Sequence, residues 1–292
     1  MMVVAVAAAV VACGKTGGSG HAADEATKSS PGAQAFFTMM ATVARRPALG
    51  GVQLKREDAH DTAPVHRAFW IDYPKRGWTD QTLPTPGAAI AYKGYMLRCV
   101  AGVEYRYGVP GIVDGPDLGK WVREGRNPDD CDLKNAIGGM PPIDGILTGG
   151  LTSARAADWV DELAGTKDPD ADKPLFTFSA TRTAVVNGQP TVVVDVSITP
   201  SPKRSSQGGL GYLLLDLFKL TGTNFPYNTP GASIDGFQAT YWINAVNHLP
   251  VKSVGHVVLA PVMNGGIPGT GWSFQTTYQF SRQPDWKHLP VK

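Results

Sequence analysis

The sequence predicts an α+β domain made mainly of antiparallel strands, with a few short helices laid on one side. Three observations carry this. Gly and Pro contribute 34 and 23 of the 292 residues, a density of chain breaks that favours short strands joined by turns. Several segments alternate apolar and polar side chains. In residues 191–199, Val192, Val194, Val196 and Ile198 alternate with Thr191, Asp195 and Ser197, and only Val193 breaks the polar side. Such a strand has one buried and one wet face, as in antiparallel sheets; strands of parallel sheets, covered on both faces, read as unbroken apolar runs. Finally, Asn187-Gly188 separates two strand-like segments, and this dipeptide is the strongest short signal for a two-residue hairpin turn.

The N-terminal residues set the address. Residues 3–12, VVAVAAAVVA, are an unbroken apolar run, too short for a bilayer span of about 20 residues but right for the centre of a secretory signal. The run ends Val10-Val11-Ala12-Cys13-Gly14. This resembles the lipobox of bacterial lipoproteins, which implies a signal peptide over 1–12 and acylation of Cys13. No Lys or Arg precedes the run, although signals carry positive charge there, so the start codon is expected upstream. Residues 14–32 are small and polar and cannot bury apolar area. From Cys13 to residue 32 the chain therefore reads as a lipidated flexible tether reaching about 25 Å, and the domain occupies 33–292.

Within the domain, residues 33–46 carry Phe36, Phe37, Met39, Met40 and Val43 at helical spacing, and Pro47 stops the helix. Strands are expected over 52–56, 67–73, 89–100 and 103–107. Residues 108–150, with Pro110, Pro116, Pro128, Pro141 and Pro142, read as loop. A second helix is expected over 154–163, with Ser153 as its N-cap and Gly165 beyond its end. The hairpin strands are 176–186 and 191–199. Residues 208–222 place Leu210, Leu213, Leu214, Leu217 and Phe218 on one helical face, with Leu215 and Leu220 outside it. This segment is either a core helix or a lid over an apolar cavity. Alternating strands follow at 237–245, 251–259 and 273–280, with a turn at Asn247-His248-Leu249-Pro250. No βαβ alternation appears, which disfavours a Rossmann-type fold.

Composition excludes several classes. The net charge of +2 is dispersed, without the basic clusters that grip nucleic acid. Of three cysteines, Cys99 and Cys131 remain in the exported body. In an oxidising compartment they are expected to form a disulfide; the alternative is two buried thiols. No histidine lies at zinc-ligand spacing from either, and no metal or cofactor is expected. Asp168-Pro169-Asp170-Ala171-Asp172 mimics the start of a calcium loop, but Lys173 and Ser179 stand where glycine and an acid are required, so it reads as a solvated turn. There is no G-x-S-x-G elbow and no H-E-x-x-H pair, and no enzymatic activity is expected.

Residues 239–253, ATYWINAVNHLPVKS, resemble a hairpin of the LolA-like lipoprotein-carrier superfamily, which includes the LppX/LprG-type envelope lipoproteins. Members show a Trp-Ile-Asp-like strand, a short turn, then Leu-Pro-Val and a returning strand. The resemblance implies a strongly curved antiparallel sheet, an unclosed barrel, with helices covering its concave face and a hollow for acyl chains. The expected lining combines Val194, Val196, Phe237, Tyr241, Ile243 and Tyr278 with Leu213, Leu214, Leu217 and Phe218 of the lid. The expected ligand is a lipid or acylated molecule, with the membrane reached through the anchor. A sensor or assembly module without cargo and a secreted hydrolase are the alternatives. The long Pro-rich stretch 108–150 and the paired cysteines depart from the family pattern.

Overall fold

The computed structural model describes residues 30–57, 64–74, 77–83, 96–100, 103–107, 120–123, 147, 149–168, 172–201, 234–259 and 271–280. The first element, α1 (Pro31–Ala44), begins two residues earlier than its apolar spacing suggests. Ser30 is its N-cap, with Oγ accepting from Ala33 N at 3.2 Å, and Pro31 opens the first turn, where a missing N–H costs nothing. Phe36, Met39, Met40 and Val43 follow one face and are buried. The second helix, α2 (Ser153–Gly165), is capped by Thr152, whose Oγ1 accepts from Arg155 N. The expected cap, Ser153, lies just inside the helix, and Gly165 is its last residue. Ala156, Trp159 and Leu163 form its buried face.

Strands follow the alternation. In chain order they are β1 (Ala48–Glu57), β2 (Val65–Asp72), β3 (Gly77–Thr82), β4 (Met96–Val100), β5 (Val103–Tyr107), β6 (Trp121–Arg123), β7 (Lys167–Asp168), β8 (Lys173–Pro174), β9 (Thr177–Phe178), β10 (Arg182–Val186), β11 (Gln189–Ile198), β12 (Ile234–Asn244), β13 (Pro250–Leu259) and β14 (Gly271–Gln279). Four strands were not expected: β3, β6 and the two-residue strands β7 and β8. β3, GWTDQT, carries too few apolar residues to show alternation, and β6 sits inside the stretch read as loop. The expected strand 176–186 is broken into β9 and β10, which lie along the same edge of β11. The acidic run mimicking a calcium loop joins the two-stranded hairpin β7–β8, where Lys167 Nζ meets the Asp172 carboxylate at 3.2 Å. Residues 169–171 of that run lie outside the described residues.

Twelve strands form one sheet in the order β10-β11-β12-β13-β14-β1-β2-β3-β4-β5-β6, with β9 beside β11. Every pair is antiparallel. Among the described strands the two ends of the sheet do not pair with one another, so it is unclosed; the sheet is curved, as the α+β reading anticipated. Two meanders compose it, β1 to β6 and β10 to β14, joined where β1 lies against β14 over Gly50 to Glu57. Asn187 and Gly188 turn the β10–β11 hairpin with φ of 50° and 75°, the two positive angles that a type I′ turn requires. The β12–β13 turn is held by Asn244, whose Oδ1 accepts from Val246 N and Asn247 N.

Both helices lie on one face. Gly32 of α1 approaches Val194 and the Phe178–Ser179 backbone so closely that a Cβ would collide with Ser179 O. The end of α1 is tied to the approach to α2 by Leu151 N donating to Ala44 O and Gly150 N to Arg46 O. One core unites α1, α2 and the covered side chains of β1, β2, β3, β11, β12, β13 and β14. A small second cluster on the opposite face centres on Ala68 and Trp70, flanked by Tyr107 and Trp121, whose rings meet at 5.3 Å.

Candidate functional site

Residues opposite one another in an antiparallel pair share a face, so the register defines the floor beneath the helices. β11 contributes Val194, Val196 and Ile198; β12 contributes Phe237, Ala239, Tyr241 and Ile243; β13 contributes Ser253, Gly255 and Val257. β14 adds Phe274, Thr276 and Tyr278, β1 adds Leu49, Gly51 and Gln53, and β2 adds Arg67, Phe69 and Ile71. Val194, Val196, Phe237, Tyr241, Ile243 and Tyr278, the lining expected from the sequence, are thus together on the covered face. Leu213, Leu214, Leu217 and Phe218 lie outside the described residues, as do Cys13 and Cys131. Cys99 lies in β4, opposite Trp78 and Glu104.

At the β9–β12 end the floor is packed. Phe36 is 0% exposed, and its ring lies 5.5 Å from Tyr241, 5.8 Å from Phe176 and 5.6 Å from Phe178, with Phe37 a further 5.4 Å neighbour. Tilted and edge-on pairs at these separations fill space as a core does. Val194 and Tyr241 therefore meet α1 directly.

Further across, the floor turns polar, which the sequence reading missed. Ser253, Thr276 and Gln53 stand opposite one another in turn on β13, β14 and β1, and Arg67 of β2 stands opposite Gln53. The first three are 0% exposed. Gln53 Nε2 donates to Thr276 Oγ1 at 3.2 Å, and Ser253 Oγ lies 2.8 Å from Tyr278 Oη. Arg67 Nη2 meets Asp80 Oδ2 of β3 at 3.2 Å. Burial pushes the Asp80 carboxyl above its ordinary range, and the Arg67 guanidinium partly offsets this. The signal was present as Gln53, Arg67, Ser253 and Thr276 at covered positions of the alternation, but it becomes a cluster only once β1 is placed beside β14.

The opposite face carries an open groove of about 560 Å³ across β9, β11, β12 and β13, lined by Thr177, Ser179, Asp195, Gln238, Thr240 and His256 among others. Arg182 grips Asp195 through two guanidinium nitrogens at 2.6 and 3.1 Å, and Thr240 Oγ1 and Ser179 Oγ donate to the same carboxylate. These bonds, led by that from Arg182, hold the Asp195 pKa down at about 2. Its acceptor sites are taken by protein donors, so the carboxylate serves the sheet surface. Among the described residues there is no cluster of three His, Cys, Asp or Glu able to hold a metal, and no helix is long and apolar enough to cross a membrane.

No family model matches the sequence, and no curated protein matches it. Among solved structures, the chain is similar to the lipoprotein LppX of Mycobacterium tuberculosis, at 9% identity and a TM-score of 0.39, over 87% of this chain and 98% of that one. It is similar to LprF of Mycobacterium bovis at 11% identity and 0.41, over 88% and 97%. A LolA superfamily protein of Nitrosomonas europaea follows at 9% and 0.26, over 86% and 94%.

Proposed function

We propose that this chain is an exported lipoprotein, acylated on Cys13, that holds the acyl chains of a lipid or lipoprotein against the covered face of its sheet and carries them in the cell envelope. One observation supports this above others: the covered face is larger than its described cover. From β11 to β3 the floor spans seven strands, about 29 Å across, and strands of this length run about 30 Å. The two helices have 14 and 13 residues, each about 20 Å long and 10 Å wide. Side by side they cover roughly half of that face. A sheet with so many inward apolar side chains must be covered, by more chain or by ligand. The apolar segment 208–220 with Leu213, Leu214, Leu217 and Phe218 is the proposed lid, and the acyl chain lies beneath it. Each lipid methylene buried there contributes about 0.8 kcal/mol. Export would also leave Cys99 and Cys131 bonded to one another.

Native mass spectrometry of protein purified from its own host membranes tests this. The expected result is an adduct with the mass of a lipid, reduced in Leu214→Asp and Phe218→Asp. Protein that is lipid-free from its host would overturn the reading. The tight packing of Phe36 on Tyr241 favours a second one, a packed sensor or assembly module of the same fold, and lipid-free protein would be its signature.

A further inference from the structure

At one end of the sheet two hairpin tips stand side by side. Asn187-Gly188 turns β10 into β11, and residues 245–249 turn β12 into β13. Hydrogen bonds join the tips: Ala245 N donates to Pro190 O at 2.9 Å, and Asn244 Nδ2 donates to Gln189 Oε1 at 2.9 Å. The second tip is also held internally. Asn244 Oδ1 accepts from Val246 N and Asn247 N, and Asn247 Oδ1 accepts from Leu249 N.

This end presents the two most exposed large apolar side chains among the described residues, Val246 at 79% and Val185 at 73%. Val185 lies opposite Pro190, so the valines are about two strand spacings apart, roughly 10 Å. A single exposed valine means little. Here two adjoin on neighbouring tips, and charge is missing around them. Neither residues 183–194 nor residues 236–251 contain Asp, Glu, Lys or Arg, although edges that face only water are commonly guarded by charge, Lys above all. Behind the tips, Trp242 and Lys252 stand opposite one another, the ammonium 5.2 Å from the ring. An apolar tip backed by Trp and Lys matches the layers of a bilayer interface. Apolar groups enter the acyl boundary there, while indole and ammonium groups stay at headgroup level.

Chain length gives a second argument. Gly32, at the start of α1, packs on Val194, about 20 Å along β11 from the Asn187-Gly188 turn. The proposed tether, from Cys13 to Ser30, spans roughly 20–25 Å on average. With the tips on the membrane the tether is therefore at its natural length, the condition under which a tethered contact is most favoured.

We propose that Val185 and Val246 dock the domain on the lipid bilayer by entering its interface. This rests on the lipoprotein anchor proposed above. Docking brings the end of the covered face, at Val192 and Ile243, to the bilayer, so that an acyl chain enters without crossing open water.

The test uses the acylated full-length protein, purified from its host and reconstituted into vesicles of dioleoyl phosphatidylcholine and dioleoyl phosphatidylglycerol. One set of vesicles carries brominated acyl chains, which quench Trp emission on contact. Val246→Trp adds a reporter at the tip. Val65→Trp adds one at the other end of the sheet, where Val65 is 49% exposed opposite Lys55. The emission added by Val246→Trp should be lost in brominated vesicles, and that added by Val65→Trp should not. Adding Val185→Asp to Val246→Trp should lower the docked-to-free ratio about tenfold, the worth of one buried valine. Most of the emission then returns, at an unchanged melting temperature. Equal quenching of the two reporters, or none at position 246, in protein that floats with the vesicles overturns docking and leaves the anchor standing. Protein that does not float with them overturns both. A wild-type dimer in detergent that Val246→Asp splits into monomers assigns the tips to a second copy and also overturns docking.

Discussion

Asp195 shows how much of this sheet is organised by single polar side chains. It sits on β11 at an outward position, as the alternation predicts, and three donors from three other segments converge on it: Arg182 of β10, Thr240 of β12 and Ser179 beyond β9. With its pKa held at about 2 against an ordinary 3.8, the folded chain binds this proton more weakly than the unfolded chain does. The resulting stability is present in full above the ordinary pKa and is lost as pH falls from about 4 through 2. Because both side chains are substantially exposed, solvent screening limits the effect to about 1 kcal/mol or less. Asp195→Asn should therefore show a shallower loss of stability than wild type between pH 4 and 2, by urea denaturation. Parallel slopes in that window would show that the network contributes nothing. Val193, the one apolar residue on the outward side of the same strand, is only 1% exposed. It lies opposite Trp242, whose outer surface is capped by the Lys252 ammonium at 5.2 Å from the ring. The break in alternation was legible in the sequence; its setting was not, because Trp242 comes opposite Val193 only through strand pairing.

Among the elements, those with strong local signals were readable and those without were not. The apolar face of α1, the Asn187-Gly188 turn and the alternating strands β11, β12 and β14 each carry their own periodicity. β3 and β6 do not; they are strands because neighbours offer them a ladder, a tertiary effect that overrides weak local preference. The cap of α2 moved by one residue, from Ser153 to Thr152, two neighbours equally able to cap, and α1 starts at Pro31 because Ser30 caps it ahead of the apolar spacing. Two glycines separate local from long-range demands. Gly188 needs a positive φ of 75°, and a Cβ there would meet nothing within 4 Å. Gly188→Ala should cost only the backbone penalty, about 1–2 kcal/mol. Gly255 lies in the middle of β13, where a Cβ would come within 2.6 Å of the Phe274 ring and strike Gln238 O. A strand backbone and a buried ring cannot both yield, so Gly255→Ala should cost more, about 2–3 kcal/mol. Chemical denaturation of the two variants checks the order; a Gly188→Ala loss equal to or above that of Gly255→Ala would contradict it.

At the scale of the whole molecule, the feature least legible in sequence was the pairing of the first strand of the domain with the last, β1 with β14. No local pattern specifies which strands meet across more than two hundred residues, yet this pairing brings Gln53 to Thr276 and creates the polar row. The proposed address is the reverse case, since it rests on the first thirteen residues alone and not on the fold. If Cys13 carries a diacylglycerol, two acyl chains hold the domain at the membrane. A single chain gives only marginal, reversible binding, and two give stable anchorage. The ten apolar residues before it are too few to cross a bilayer, so nothing else in that segment can substitute as a span. Cys13→Ala should accordingly move the protein from the detergent phase to the aqueous phase on Triton X-114 partitioning, or arrest it as the uncleaved precursor. The folded domain should melt at the wild-type temperature in either form. A variant of mature size that partitions with detergent as the wild type does would show that the anchor is elsewhere. The envelope role would then rest on the covered face of the sheet alone.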